Sequence, residues 1–266
     1  FRSFVCAAIE LAPLLARTPG VSLVITAGEE TGCQGAYDLV SKPGAIGRAG
    51  AIVVAEPTGN FPFVGHRGAF WLQGITHGVT AHGSMPEKGV NAVYKAAHAV
   101  TCLEHFHFRN QPHSMMGQGT LNVGTIAGGL NINSVPDKAR IGIDMRTVPT
   151  QRHGDIRADL AQALGPEVEL KTLLDVESVY TEPQQAWVQE VFDVMQPILG
   201  ARPEPRTATY FTDAAVLTPA YGNPPTIILG PGEPHMAHQT DEYCSTERTR
   251  QSTVAFVDLM RRWCKV

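Results

Sequence analysis

Two adjacent carboxylates are the first candidates for chemistry in this sequence. In the stretch ITAGEETGCQG, residues 25–35, Glu29 and Glu30 follow an apolar run and precede two glycines. A hydrolytic metal site needs one carboxylate on the cation and another that takes a proton from the attacking water. Adjacent side chains point in different directions, so one doublet can supply both groups. An acidic pair at a strand end is also common in solvated loops, and the doublet alone leaves both interpretations open.

The doublet is one of three places where an apolar run ends in a candidate ligand. The runs are VSLVITA (residues 21–27) before Glu29 and Glu30, AIVVA (51–55) before Glu56, and PTIILG (225–230) before a loop with His235 and His238. Such runs without polar alternation predict buried strands of a parallel sheet, and ligands gather beyond the carboxyl ends of such strands. Carboxylates and an imidazole suit zinc, with manganese or cobalt as substitutes.

Composition excludes several classes of partner. The 266 residues carry a formal net charge of −4, which favours neither nucleic-acid nor membrane binding. Five cysteines are scattered without C-x-x-C spacing, as in reduced cytosolic proteins. No apolar run reaches the ~20 residues of a membrane span, and no leader pattern is visible. We therefore expect a cytoplasmic protein whose partner is a small molecule or a second copy of itself.

The order of the local patterns predicts two domains. Helical and buried-strand patterns alternate in residues 1–62 and again in 178–266, which indicates an α/β domain with a mainly parallel sheet. Residues 63–177 run strand, helix, two strands, helix, strand, which predicts an inserted ferredoxin-like α+β domain. Helical spacing of apolar side chains already begins at Phe1, so we expect the sequence to start within the first domain.

Five ordered motifs make the sequence resemble a known family. They are TAGEETG, AEPT, VTAHGSMPEKGVNAV, GGLNINSVPDKARIGIDMR and GPGEPHMAHQTDEY. In this order they resemble the M20-type metallopeptidases, which include acetylornithine deacetylase, succinyl-diaminopimelate desuccinylase, aminoacylase and glutamate carboxypeptidase. The similarity covers nearly the whole chain. It implies a dizinc α/β catalytic domain and a ferredoxin-like lid that commonly forms the contact of a homodimer.

The resemblance also implies roles for individual residues of the catalytic domain. Glu29 matches the general base, and Glu30, Glu56 and His238 match zinc ligands. Aminopeptidase members carry aspartate where this chain has Glu56, so the resemblance favours the deacylase and carboxypeptidase branch. The implied reaction is cleavage of the amide bond of an N-acyl amino acid or small peptide.

Three further residues belong to the expected lid. His82 matches the histidine that steadies the oxyanion in the partner subunit's site; the alternative is a turn residue that caps the following segment. Asn133 and Arg146 match residues that hold the substrate. Arg146 suits a bidentate pair with a carboxylate, and an ordinary surface charge at a strand end is the equally weighted alternative.

The resemblance is incomplete at its first motif. The family's His-x-Asp and its bridging aspartate have no match, so the sequence resembles the family without its N-terminal segment, and we expect the chain as given to be inactive. The alternative function is a non-catalytic member that uses the lid for self-association or small-ligand binding. A serine or cysteine hydrolase has little support, because neither Ser84 nor Cys33 lies in a G-x-S-x-G elbow. The sequence does not determine which acyl group or amino acid is the substrate.

Overall fold

The computed structural model describes residues 2–17 and 20–266, so Phe1, where the first helix was expected to begin, lies outside the described residues. The described chain separates into two units. The first unit comprises residues 2–17, 20–66, 179–208 and 212–266, and the second comprises residues 67–178 and 209–211. No helix in the described ranges combines the length and apolar character needed to cross a membrane.

The first unit is built around a mixed sheet. Its elements are α1 (Arg2–Leu11), a 3-10 helix (Ala12–Arg17), α2 (Gln34–Ser41), β1 (Ile52–Val54), β2 (Phe63–His66), β9 (Val179–Tyr180), α5 (Ala186–Leu199), β10 (Arg206–Ala208), α6 (Ala214–Ala220), β11 (Thr226–Ile228), a 3-10 helix (Pro234–Met236) and α7 (Thr246–Cys264). The strand order is β1-β11-β2-β10, with β9 paired to β2. β1 with β11 and β2 with β10 are parallel, whereas β2 is antiparallel to β11 and β9.

Two helices of this unit, α1 and α5, pack against α7 through aromatic side chains. Phe4 of α1 stacks on Phe256 of α7 with ring centroids 3.9 Å apart, and Trp187 of α5 meets Trp263 of α7 edge to face at 5.3 Å. These contacts bury apolar faces that the helical periodicity of the sequence predicts.

The prediction that VSLVITA forms a buried strand is wrong. Residues 21–27 have no strand structure, and Leu23, Val24 and Ile25 are 44%, 36% and 68% exposed. A cavity of about 540 Å³ is lined both by this segment and by β1, which pairs only with β11. A β-branched run indicates a preference for burial, but a strand also needs a neighbour that accepts its backbone hydrogen bonds. Among the described residues, no strand supplies that neighbour.

The second unit has the expected ferredoxin-like order of elements. They are β3 (Gly68–His77), β4 (Ala81–His82), a 3-10 helix (Pro86–Lys88), α3 (Ala92–Glu104), β5 (Thr120–Gly128), β6 (Ser134–Val135), β7 (Lys138–Thr147), α4 (His153–Leu164) and β8 (Val168–Val176). The antiparallel sheet has the order β5-β7-β3-β8, and β4 pairs with β6 in a separate ribbon. Side chains of α3 and α4 join those of β3 and β7 in one core. The predicted fold class, an α/β domain with a ferredoxin-like α+β insertion, is confirmed, with the correction that the first sheet is mixed.

Candidate active site

Glu29 and Glu30 lie on a tight turn, residues 27–35, which we call the doublet turn. The amides of Gly32 and Cys33 donate to the Glu29 carbonyl at 2.9 and 3.1 Å, and the Gly35 amide donates to the Ala27 carbonyl at 2.8 Å. The turn leads directly into α2, whose N-cap is Cys33 with φ 59°. Glu29 is half-buried and Glu30 is exposed. The local backbone therefore presents the two carboxylates differently, although no strand precedes them.

Glu56 and the loop that carries His238 meet at one end of the first sheet. β1 and β11 are parallel neighbours in register, with Val54 opposite Ile228, so the chain leaves both strands at the same edge. Gly230 lies so close to this chain that an added Cβ would be 2.4 Å from the Glu56 carbonyl oxygen. Two of the three predicted strand ends therefore come together, as the rule for parallel strands requires.

The carboxylates of this region influence one another. The pKa of Glu29 is raised to about 7, mainly by burial and then by the charges of Glu30 and Asp213. The pKa of Glu56 is raised to about 8, again mainly by burial and then by Glu29, Asp213 and Glu30. Carboxylates raise one another's pKa only when they are close enough to repel each other electrostatically, so these side chains share one region of the first unit.

His238 lies beside Glu30 at the exposed side of this region. Its Nε2 is 3.6 Å from Glu30 Oε2, and the two side chains are 73% and 71% exposed. Glu30, Glu56 and His238 do not form a tight cluster, however. In the described part of the chain, only His153, Asp175 and Glu177 have ligand atoms that all lie within 4.8 Å of one another. The predicted ligands are thus neighbours, but their ligand atoms do not all lie within 4.8 Å of one another.

The His153 group is best explained as a hydrogen-bond network of the second unit. His153 Nδ1 is 2.6 Å from Asp175 Oδ1, and its Nε2 is 2.8 Å from Thr147 Oγ1, so both ring nitrogens are engaged. The ring also stacks on Phe70 with centroids 4.5 Å apart. This arrangement ties the first residue of α4 to β3, β7 and β8.

Asp213 is a further buried carboxylate, and no motif in the sequence marked it. Its side chain is 8% exposed, Oδ2 accepts a hydrogen bond from Thr26 Oγ1, and Oδ1 has no hydrogen-bond partner among the described residues. Asp213 occupies the N-cap of α6 without capping it, because Thr212 Oγ1 accepts from the Ala214 amide instead, at 3.1 Å. The only signal in the sequence is an acid placed directly before a short apolar helical pattern.

The three predicted residues of the lid all belong to the second unit. His82 Nδ1 is 2.8 Å from Ser84 Oγ and accepts from the Ser84 amide at 3.2 Å, which is the geometry of the turn-cap alternative. Asn133 is exposed, and its carbonyl accepts a hydrogen bond from the Gly83 amide at 2.7 Å. His82 and Asn133 therefore lie on neighbouring backbone segments.

Arg146 is engaged within its own strand. Its Nε is 3.0 Å from Asp144 Oδ1, and its guanidinium lies 5.8 Å from the centre of the Trp71 ring. Trp71 Nε1 in turn donates to Asp144 at 2.7 Å. This geometry is compatible with either alternative for Arg146, since a guanidinium held in this way can bind a further carboxylate or remain a structural charge.

The donors of the first unit fit a divalent cation. Glu30, Glu56 and His238 offer carboxylate oxygens and an imidazole nitrogen, which is the ligand chemistry of zinc sites. The unpartnered Asp213 Oδ1 adds a buried acceptor near them, and the raised pKa values of Glu29 and Glu56 indicate negative charge without compensation. A cation would relieve that repulsion.

Comparison with known proteins begins with the second unit. The family described as the M20 peptidase dimerisation domain matches residues 64–171. The whole chain is similar to an acetylornithine deacetylase of Pasteurella multocida, at 28% identity over 99% of this chain and 70% of the relative. A probable succinyl-diaminopimelate desuccinylase of Staphylococcus aureus is 27% identical over 89% of this chain and 66% of the relative. Another acetylornithine deacetylase, from Edwardsiella ictaluri, is matched over 64% of its length.

Solved structures show the same fold. The aminopeptidase PepT of Bacillus cereus superposes with a TM-score of 0.76 at 22% identity, over 98% of this chain and 70% of that chain. An M20 family metallo-carboxypeptidase of Sulfolobus solfataricus gives a TM-score of 0.76 at 13% identity, over 99% of this chain and 75% of that chain. The matched domain, the similarity along nearly the whole chain and the shared fold agree with one another: this chain resembles the M20 peptidases over nearly its whole length.

Proposed function

We propose that this chain is a zinc-dependent amidohydrolase of the deacylase or carboxypeptidase type, which cleaves the amide bond of an N-acyl amino acid or small peptide. The observation that supports it best is the grouping of Glu29, Glu30, Glu56 and His238 in one region of an M20 chain. Curated relatives named as a deacetylase and a desuccinylase support the class of substrate.

Glu30, Glu56 and His238 would hold the metal, for which cobalt or manganese are the proposed substitutes. The cation supplies Lewis acidity and lowers the pKa of water in the site. Glu29 accepts the proton of the attacking water and passes it to the leaving amine. Its pKa of about 7 suits a residue that must both take and release a proton near neutral pH. The doublet turn keeps this base at a constant distance from the neighbouring ligand.

The second unit contributes binding groups in this proposal. His82 donates a hydrogen bond to the developing oxyanion in the partner subunit's site, a contribution typically of ~3 kcal/mol for such donors. Asn133 and Arg146 hold the substrate, with the guanidinium facing its carboxylate. We further propose that the second unit forms a homodimer, which the match to a peptidase dimerisation domain supports, and that the protein is cytoplasmic, for which its five free cysteines are the support.

The family resemblance also motivates a proposal about the chain as given. Three zinc ligands have matching positions, whereas the His-x-Asp and the bridging aspartate do not. We therefore expect the 266-residue chain to bind one cation and to hydrolyse substrate slowly or not at all. Metal content by plasma emission spectroscopy and hydrolysis of N-acetyl and N-succinyl amino acids would be measured for the chain and for the product of its complete reading frame.

Glu29→Gln separates the base from the ligands in this experiment. In the product of the complete reading frame, we expect this variant to lose about 10²–10⁴-fold in kcat while its zinc affinity stays within about threefold of the unsubstituted protein. Glu30→Gln and His238→Gln should instead lose zinc affinity. Glu204→Gln, an exposed glutamate of the same unit, is the matched control. Full activity in Glu29→Gln would rule out Glu29 as the base. The absence of both metal and turnover from the complete product would support the non-catalytic alternative.

A further inference from the structure

The Thr212–Asp213 dipeptide contacts the chain just before the doublet turn and again near the end of the turn. Before the turn, Asp213 Oδ2 accepts a hydrogen bond from Thr26 Oγ1. At the end of the turn, Cys33 Sγ donates to the Thr212 carbonyl at 3.6 Å. The Asp213 carboxylate is also the neighbouring charge that most raises the pKa of the fully buried Cys33 thiol. One dipeptide therefore reaches both ends of the segment that carries Glu29 and Glu30.

The doublet turn has few other anchors. Within the described residues, the backbone amides of residues 31–35 donate only to carbonyls of residues 27–29, so these hydrogen bonds close inside the turn. The preceding segment, residues 21–27, pairs with no strand. The position of the turn relative to the sheet must therefore come from side-chain contacts and from the packing of α2.

Asp213 is suited to this task rather than to helix capping. Thr212 already caps α6, which leaves the Asp213 carboxylate free to accept from Thr26. A hydrogen bond to a buried carboxylate is stronger than one to a neutral acceptor. The sequence separation of 187 positions makes this hydrogen bond a long-range contact between distant parts of the first unit.

We propose that Thr212 and Asp213 clamp the doublet turn, and that Asp213 is thereby a positioning residue for Glu29 and Glu30. In this proposal Asp213 acts through its hydrogen bond with Thr26 rather than as a metal ligand. The consequence for zinc binding rests on the proposed function, whereas the clamp itself does not.

Hydrogen exchange tests the clamp without any metal. Thr26→Val removes the hydroxyl and keeps the shape, so we expect the amides of residues 31–35 to exchange about 10–100-fold faster than in the unsubstituted protein. Thr26→Ser keeps a donor and should restore slow exchange. Thr253→Val is the matched control, because the Thr253 hydroxyl donates to the Thr249 carbonyl within α7. Mass spectrometry of peptides that cover residues 26–36 gives the rates.

Substitutions of Asp213 separate position from charge. Asp213→Ala removes the acceptor, and we expect faster exchange together with about 10–100-fold weaker zinc binding by calorimetry. Asp213→Asn keeps an acceptor for Thr26 and should stay within about threefold of the unsubstituted protein in both measurements. Thermal unfolding of each variant checks that the first unit remains folded.

The outcomes decide between the two ideas. Unchanged exchange in both Thr26→Val and Asp213→Ala overturns the clamp. Weaker zinc binding in Asp213→Asn with unchanged exchange also overturns it, because charge alone would then be responsible. If the unsubstituted protein binds no zinc while Thr26→Val still accelerates exchange, the clamp stands and the proposed function fails.

Discussion

At the scale of single residues, the unusual feature of this protein is a set of carboxylates whose negative charge is not balanced by ion pairs with basic residues of the described chain. Burial raises the pKa of Glu29 and Glu56 more than any neighbouring charge does. Asp213 is buried beside them, and no described basic residue forms an ion pair with any of the three. In the metal-free fold, Glu29 and Glu56 therefore favour the protonated form more strongly than they would in water. This preference makes the stability of the fold depend on pH.

We predict that the metal-free protein loses stability as the pH rises from about 4.5 to about 8. Both glutamates titrate near 4.5 without the fold, but the folded protein keeps their protons to about 7 and about 8. Between these values the folded chain binds more protons than the unfolded chain, so the free energy of unfolding falls with rising pH. Urea unfolding in the presence of a chelator measures it.

Glu56→Gln should remove most of the fall in the free energy of unfolding with rising pH. That fall is on the order of 1–3 kcal/mol between pH 5 and 9 after allowance for solvent screening. Glu204→Gln, on the exposed surface of the same unit, should leave the pH dependence of the free energy of unfolding unchanged. A free energy of unfolding that stays constant or rises over this range would contradict the electrostatic description of the site.

At the scale of elements, the doublet turn and α2 depend on a close backbone approach. Gly35 is the second residue of α2, and a Cβ added there would lie 2.5 Å from the Ala27 carbonyl oxygen and 2.6 Å from the Ala27 nitrogen. Both atoms are backbone, so they cannot move aside as a flexible side chain would. The sequence shows this glycine, but only the packed turn shows why it is needed.

Gly35→Ala should therefore destabilise the first unit by about 1–3 kcal/mol, because the turn must shift to admit the methyl group. Gly154→Ala is a matched control, since Gly154 is also the second residue of its helix and has open space around it. That variant should be neutral or up to about 1 kcal/mol more stable. Chemical denaturation of both variants makes the comparison, and equal behaviour would show that the turn tolerates a side chain.

The second unit depends on the His153 network for the attachment of α4. His153→Ala removes two hydrogen bonds and the stack on Phe70, and we predict a loss of about 2–4 kcal/mol in the free energy of unfolding. His107→Ala is the control, because His107 is exposed and, among the described residues, its ring has a hydrogen bond only with the adjacent Phe106 carbonyl. Similar small losses in both variants would mean that the network contributes little.

At the scale of the whole molecule, the second unit has an edge strand, β5, whose outer edge has no partner strand among the described residues. β5 is an edge strand of the order β5-β7-β3-β8, and Ile126 on it is 50% exposed. Leu130 and Ile132, which follow β5, are 98% and 103% exposed. Exposed apolar side chains along a strand edge are typical of surfaces that bind a second chain.

Ile126→Asp should weaken the proposed homodimer at least about tenfold, because it places a charge on an apolar interface. Leu173→Asp is the counterpart on β8, the opposite edge of the sheet, where Leu173 is 54% exposed. Analytical ultracentrifugation of the two variants gives the dissociation constants. A monomeric unsubstituted protein, or a larger effect at Leu173, would be inconsistent with association through β5.

The sequence predicted the second unit well and the first unit less well, for identifiable reasons. β3, β5, β7 and β8 alternate or run apolar within one continuous stretch, and their partners lie in the same stretch. Residues 21–27 carry an equally clear apolar pattern but find no partner strand among the described residues. For Glu29, Glu30, Glu56 and His238, the sequence supplied residue types and order, and their roles remain a proposal.

By itself, the sequence determined the resemblance to the M20 peptidases, the class of fold and the ferredoxin-like order of the second unit, because motif order and periodicity depend on neighbouring residues. It also supplied the residues that we propose as metal ligands. Tertiary structure alone decided that residues 21–27 stay unpaired, that Asp213 lies beside the doublet turn and that Glu29 and Glu56 hold their protons to about 7 and about 8. Strand pairing, burial and electrostatic interactions depend on groups that are distant along the chain, so a local sequence pattern does not predict them.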